Sequence, residues 1–205
     1  MNNQSQSKPW TILGAGAMGC LWAYQGLRGG REITLVLRNA QRLAAFAQQG
    51  GITLVDGSEK NTLPCPALLP EQIHKPISHL LICCKAQQTR AAFAGIADRL
   101  TEGAAVVLLQ NGMGVAEELL QQQPGLRLFA GVSTDGVHRV APFTIQRAGV
   151  GVTRLGLYPR DETGSSSREV VTALGFPTLA VEPCNDIYAA QWQKLAVNAV
   201  INPLT

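Results

Sequence analysis

From Trp10 onward, short apolar runs alternate with longer stretches of helical period, the pattern of strands separated by helices. Trp10 to Leu13 reads as a first strand and Met18 to Leu27 as a helix stopped by Gly29-Gly30. Ile33 to Leu37 is a β-branched second strand. Asn39 is placed to cap a helix over Ala40 to Gln49, which ends at Gly50-Gly51. Ile52 to Val55, Asp56-Gly57 and Asn61 to Leu63 have the form of a hairpin, because Asp-Gly suits a tight turn. Pro64, Pro66 and Pro70 mark an irregular connection. His79 to Cys84 and Ala104 to Leu109 read as buried strands, with helices over Gln87 to Leu100 and Val115 to Gln123.

Continuously apolar strands separated by helices predict a doubly wound parallel sheet covered on both faces. The alternation then stops. Leu126 to Ser133, Thr144 to Ala148 and Thr153 to Leu157 are strands with no helix between them, expected as an antiparallel addition to the sheet edge. Asp161 to Ser167 is a polar loop, Arg168 to Leu174 a short helix and Thr178 to Val181 a last strand. From Asp186 a helical pattern runs on to Thr205.

Length and composition narrow the class. With 205 residues, 46% apolar and 15% charged, the chain is long enough for one substantial core and suits a folded protein. A net charge of +3 without a Lys/Arg cluster excludes an obvious nucleic-acid partner. The five cysteines form no ligand-like spacing, so a zinc site is not expected and a reducing compartment is. Cys83 and Cys84 read as buried small hydrophobes. Met1 to Pro9 is polar and lacks the apolar core of a secretory signal, and no run is long enough to span a bilayer. A cytoplasmic setting without membrane contact is the expectation.

The chemistry begins at Gly14-Ala15-Gly16-Ala17-Met18-Gly19, between the first strand and the first helix. In that context G-x-G-x-x-G holds a pyrophosphate: Gly14 for the turn, Gly16 for close approach of the phosphates, Gly19 for tight helix packing. The helix N-terminus supplies free N–H groups and a positive dipole end. The fold class is therefore α/β, a Rossmann-type doubly wound parallel sheet with an antiparallel extension. Ligands of such sheets lie outside the carboxyl ends of the strands. Arg38 follows the second strand, where an acidic residue would bind the ribose hydroxyls of NAD. An arginine there suits the 2′-phosphate of NADP, with Arg42 one turn further on. It also argues against a methyltransferase. Lys85, after the Leu80-to-Cys84 strand, either holds a carboxylate or the cofactor ribose, or is solvated. Asn111, in Gln-Asn-Gly-Met-Gly, either positions the cofactor or stabilises its turn.

Near the end, Lys194, Asn198 and Asn202 recur every four residues and share one helical face. Asparagine is a poor helix former, so the stripe reads as hydrogen-bonding groups lining a cleft, with the apolar residues between them buried. Pro203 is expected to kink or end the helix. Ser133-Thr134-Asp135-Gly136 and His138-Arg139 follow a strand and either border the cleft or, the favoured reading, form a turn with a solvated histidine. His74 and His79 show no partner pattern.

Together, the Gly14-to-Gly19 fingerprint, Arg38, Lys85-Ala-Gln, Asn111-Gly-Met-Gly and Lys194-Leu-Ala-Val-Asn-Ala-Val-Ile-Asn-Pro-Leu-Thr resemble the ketopantoate reductases (2-dehydropantoate 2-reductases) from about Trp10 onward. The resemblance implies NADPH-dependent reduction of 2-ketopantoate to pantoate, on the route to pantothenate and coenzyme A. It implies that Lys194 is the catalytic lysine and that Asn198 and Asn202 hold the substrate. Lys85 and Asn111 would sit at the cofactor–substrate junction and Arg38 on the 2′-phosphate. Family members continue into a helical domain that contributes a carboxylate and a serine. The expected organisation is thus a tail over 1–9, an NADP-binding domain over 10–184 and the incomplete start of an all-α domain over 185–205. The last helix then lacks partners on its apolar side and is prone to self-association. A cofactor-binding module without catalysis, or a dehydrogenase of another 2-keto or 3-hydroxy acid, remain open alternatives.

Overall fold

The computed structural model describes residues 8–110, 112–159, 165–176 and 178–201. The chain enters through β1 (Trp10–Leu13), α1 (Ala17–Arg28), β2 (Ile33–Val36) and α2 (Ala40–Gln49). The Asn39 side chain caps α2 by accepting from the Arg42 N–H at 3.0 Å, and Gly50 closes it with φ +78°. A hairpin of β3 (Ile52–Asp56) and β4 (Glu59–Leu63) follows, with Asp56 opposite Glu59 across the Gly57 turn. The proline-rich connection contains one short strand, β5 (Ala67–Leu68), which pairs with β2 at the sheet edge, where proline is tolerated.

Next come β6 (Ile77–Ile82), α3 (Ala86–Ala94), β7 (Leu100–Leu109), α4 (Val115–Gln122) and β8 (Arg127–Ser133). The helix expected to reach Leu100 stops near Gly95. A single 3₁₀ turn follows, and β7 begins at Leu100 with an exposed, polar first half. Polar residues at a strand end carry no apolar signal, so the apolar pattern of this strand begins only at Ala104. The chain continues through β9 (Gly136–Ala141), β10 (Thr144–Gly149), β11 (Val152–Tyr158), α5 (Ser165–Leu174), β12 (Ala180–Pro183) and α6 (Ile187–Ile201).

The main sheet has the order β12-β11-β8-β7-β6-β1-β2-β5. Strands β5 to β8, with β1 and β2, run parallel, and β11 joins antiparallel to β8, the expected extension. Successive residues of β7 face opposite cores. Val107 and Leu109 join Trp10, Ile12, Leu21, Trp22 and Phe129 under α1 and α5. Val106 and Leu108 join Leu80, Ile82, Phe93 and Leu119 under α3 and α4. Burial on both faces accounts for the uninterrupted apolar runs.

Three expectations are corrected here. The stretch Thr144 to Ala148 does not extend the main sheet. It lies in a second sheet of order β4-β3-β10-β9, parallel to β3 and antiparallel to β9. The residues around His138 and Arg139, read as a turn, are strand β9 itself. The anchor is Phe143, fully buried and edge-on to Phe46 at 4.8 Å, with its carbonyl accepting from Thr53 N–H at 3.0 Å. That pairing joins residues far apart in sequence, so local periodicity does not reveal it. Cys83 and Cys84 lie past the end of β6 and are half-buried, not strand interior; all five cysteines are free. Among the described residues no helix is long and apolar enough to cross a membrane.

Candidate active site

The chain moves from β1 to β2 on one side and to β6 on the other, so the sheet's switch point lies between β1 and β6. The glycine turn sits there. Gly14 has φ +104°, and a Cβ would stand 2.9 Å from both the backbone N and the Sγ of Cys84. The turn is tied across the switch point by the Cys83 N–H, which donates to the Leu13 carbonyl at 2.9 Å. A Cβ on Gly19 would fall 1.9 Å from the Gly14 carbonyl oxygen, so α1 starts in backbone contact with the turn it follows. Gly16, the N-cap of α1, is different: a Cβ there meets nothing within 4 Å, and no side chain caps the helix. Space beside free N–H groups at a helix start fits a phosphate.

Arginines surround this turn. Arg42 donates through Nη2 to the Ala15 carbonyl at 3.4 Å and lies over the Phe143 ring at 4.5 Å. Burial, and then the nearby Arg139 and Arg38, push its guanidinium below the ordinary value. Arg38 and Arg139 are exposed. Among the described residues none of the three is paired with a carboxylate. Three neighbouring arginines give this side of the turn a positive field of the kind that suits an anion. Arg38 was expected here. Arg139 was not, because β9 reaches α1 only through the second sheet.

The carboxyl ends of the parallel strands β1, β6, β7 and β8 form one rim. Lys85 follows β6 on this rim with its side chain exposed. Its carbonyl accepts from Gln88 N–H at 2.8 Å and Thr89 Oγ1 at 3.1 Å, which starts α3. Asn111, after β7, lies outside the described residues, as does Asn202. At the end of β8, three strand spacings or about 14 Å from the glycine turn, Lys194 donates through Nζ to the Ser133 carbonyl.

Helix α6 seats Ile187 and Ala190 against Ala130, and the same face carries half-buried Lys194 and Asn198. The polar stripe is thus the covered side. Of the apolar residues between its members that are expected to be buried, Leu195 is 38% and Val197 54% accessible, and Trp192 one turn earlier is exposed as well. A four-residue spacing shows which residues share a face, but not which face meets the sheet. Burial pushes the Lys194 ammonium below its ordinary pKa, and the negative charge of Asp135 opposes that shift.

Asp135, which the sequence places either at the cleft border or in a turn, is a fully buried carboxylate in an ion pair with Arg147. Nothing local marks it, since its partner lies in β10. His138 is exposed and meets Gln146 across the strands at 3.2 Å. His79 is buried beside Trp10, at 4.9 Å between rings, which pushes its imidazole below the ordinary value. Neither belongs to the rim.

The chain has counterparts among known proteins. Residues 10–160 match the family model described as ketopantoate reductase PanE/ApbA. The 2-dehydropantoate 2-reductase of Yersinia pestis is 32% identical over 200 residues, covering 95% of this chain and 61% of its own length. That of Shigella flexneri is 33% identical over 199 residues, covering 95% and 61%. The crystal structure of 2-dehydropantoate 2-reductase from Geobacter metallireducens superposes with a TM-score of 0.81 at 26% identity, over 93% of this chain and 62% of that one. D-Mandelate dehydrogenase in its ternary structure with NADH and anilino(oxo)acetate gives a TM-score of 0.86 at 19% identity, a likeness of fold. The chain spans less than two thirds of the length of these relatives. Its glycine turn, its sheet order and a match over most of its length make the chain a member of the ketopantoate reductase family.

Proposed function

We propose that the protein carries out NADPH-dependent reduction of 2-dehydropantoate (ketopantoate) to pantoate, a step toward pantothenate and coenzyme A. The observation that carries this reading is the half-buried Lys194 ammonium on the carboxyl-end rim that begins at the nucleotide-type glycine turn. The relatives' names support the substrate. A nicotinamide dinucleotide suits the turn, and the NADH complexes of a structural neighbour support that class. Arg38, with Arg42 and Arg139 beside it, supports the 2′-phosphorylated form.

When bound, the reduced nicotinamide supplies the hydride. The residues Gly14, Ala15, Gly16, Ala17, Met18 and Gly19 hold the pyrophosphate through backbone N–H groups, and Arg38 holds the 2′-phosphate. Lys85 and Asn111 would serve the junction of cofactor and substrate. Lys194 donates a hydrogen bond and then a proton to the C2 carbonyl oxygen of the keto acid, where negative charge develops. An ammonium has three donors, and the Ser133 carbonyl takes one, so two remain for substrate. Asn198 and Asn202 hold the hydroxyl and carboxylate end.

The cofactor half is tested by binding. The unmodified protein is expected to prefer NADPH to NADH by about 10- to 100-fold in Kd, the worth of a charge-assisted contact of about 1.5–3 kcal/mol. Arg38→Ala should remove most of that preference. Equal Kd values in the unmodified protein would refute the NADP assignment. The substrate half is tested by ketopantoate-dependent consumption of NADPH, and absence of that reaction in the full-length protein refutes it.

A further inference from the structure

The turn between β8 and β9 is built far more rigidly than a connection between two strands requires. At its centre the Asp135 side chain is 0% exposed and paired with Arg147, itself 16% exposed. A buried carboxylate is tolerated only when its charge and lone pairs are satisfied, and here they are. Oδ1 accepts from Arg147 and from the Gly151 N–H at 3.1 Å. Oδ2 accepts from the Ser133 hydroxyl at 3.1 Å, and that hydroxyl accepts from Asp135 N–H at 3.2 Å. Arg147 reaches on with Nη1 to the Thr178 carbonyl at 3.3 Å. The next connection presses on the same turn: a Cβ on Gly151 would lie 2.3 Å from the Thr134 carbonyl carbon, and Val152 N–H donates to Thr134 Oγ1 at 2.8 Å.

Ser133 is therefore held from both sides. Its hydroxyl belongs to Asp135 and its carbonyl receives the Lys194 ammonium. We propose that Asp135, held by Arg147, is a positioning residue for Lys194, fixing the turn that aims the ammonium along the rim and supplying the anion that balances it. The proposal rests on reading Lys194 as the proton donor. Without such a group, burial beside the sheet would shift the lysine further toward its neutral form, which cannot donate a proton to a carbonyl oxygen. Helix α6 packs on β8 and β11. The other ionisable groups around it include Arg127 on β8, Arg154 and Tyr158 on β11, Glu117 on α4 beside Gln191, and Cys184, Asp186 and Tyr188 at its start. Asp135 is the one whose charge acts on Lys194. Asp135 lies in the connection from β8 of the main sheet to β9 of the second, and Arg147 in β10 of the second sheet anchors that connection.

The test reads the lysine directly in the full-length protein. The pH dependence of Lys194 acylation is followed by mass spectrometry of its peptide, with exposed Lys60 as internal control. Asp135→Asn is expected to move the Lys194 midpoint to lower pH, so that labelling below the midpoint rises about 3- to 10-fold, tenfold corresponding to one pH unit. Lys60 should be unchanged. Because Asp135→Asn leaves Arg147 buried without its anion, the double variant Asp135→Leu, Arg147→Met serves beside it. Apolar groups of similar size replace such pairs without loss of fold. The same fall in midpoint is expected there. An unmoved midpoint in either folded variant overturns the proposal, whatever happens to the maximal labelling rate. The midpoint does not depend on catalysis. Unchanged turnover in Lys194→Ala would therefore remove the proton-donor role and leave the Asp135 result standing.

Discussion

Lys194→Ala is expected to lower ketopantoate turnover by about 100- to 10,000-fold, the contribution of a positioned general acid. Affinity for NADPH should stay within about twofold, because Lys194 lies at the end of β8, about three strand spacings from the glycine turn. Lys194→Arg separates the two parts of the role. A guanidinium keeps the positive charge beside the developing oxyanion but does not give up a proton in the working pH range. It should therefore retain part of the electrostatic stabilisation and recover little of the rate. The pH profile carries the same information with a definite sign. A donor must be protonated, so turnover falls as pH rises through the Lys194 pKa. Burial lowers that pKa from the ordinary 10.5, so the alkaline limb should begin earlier than for an exposed lysine. In Lys194→Arg that limb should vanish. Unchanged turnover in Lys194→Ala would exclude the role.

The second large effect is a contrast between two glycines three residues apart. Gly19→Ala places a methyl group 1.9 Å from the Gly14 carbonyl oxygen, which is backbone and has nowhere to retreat. The helix start must shift, at a cost of about 3 kcal/mol in stability, and nucleotide binding should fall at least about 100-fold. Gly16→Ala meets nothing in the protein, and its φ of −82° suits alanine. Its melting temperature should be unchanged, yet its methyl group occupies the space left beside the α1 N-terminus. It should lose NADPH affinity about as severely as Gly19→Ala. Thermal unfolding and NADPH titration of the two variants settle the matter. Normal NADPH affinity in Gly16→Ala would mean that the phosphates do not approach at that position.

Much of this was legible along the chain. The doubly wound order follows from apolar runs that are covered on both faces, and the Asn39 cap from local hydrogen bonding. The three roles of the glycine turn follow from backbone sterics within six residues. Arg38 and the four-residue spacing of Lys194 and Asn198 are equally local features. What no stretch of sequence contains is the choice of distant partner. Thr144 to Gly149 has the period of a strand in either sheet, and only Phe143, packed on Phe46, decides that it joins β3. The spacing of α6 defines a polar face, but the seating of Ile187 and Ala190 on Ala130 decides that this face turns inward and leaves Trp192 and Val197 exposed. Asp135 reads as an ordinary turn residue until Arg147 arrives from a strand twelve residues away. Local propensity and periodicity determined the elements and the nucleotide turn. Long-range packing, whose energy depends on residues far apart in sequence, decided which polar groups stand around Lys194.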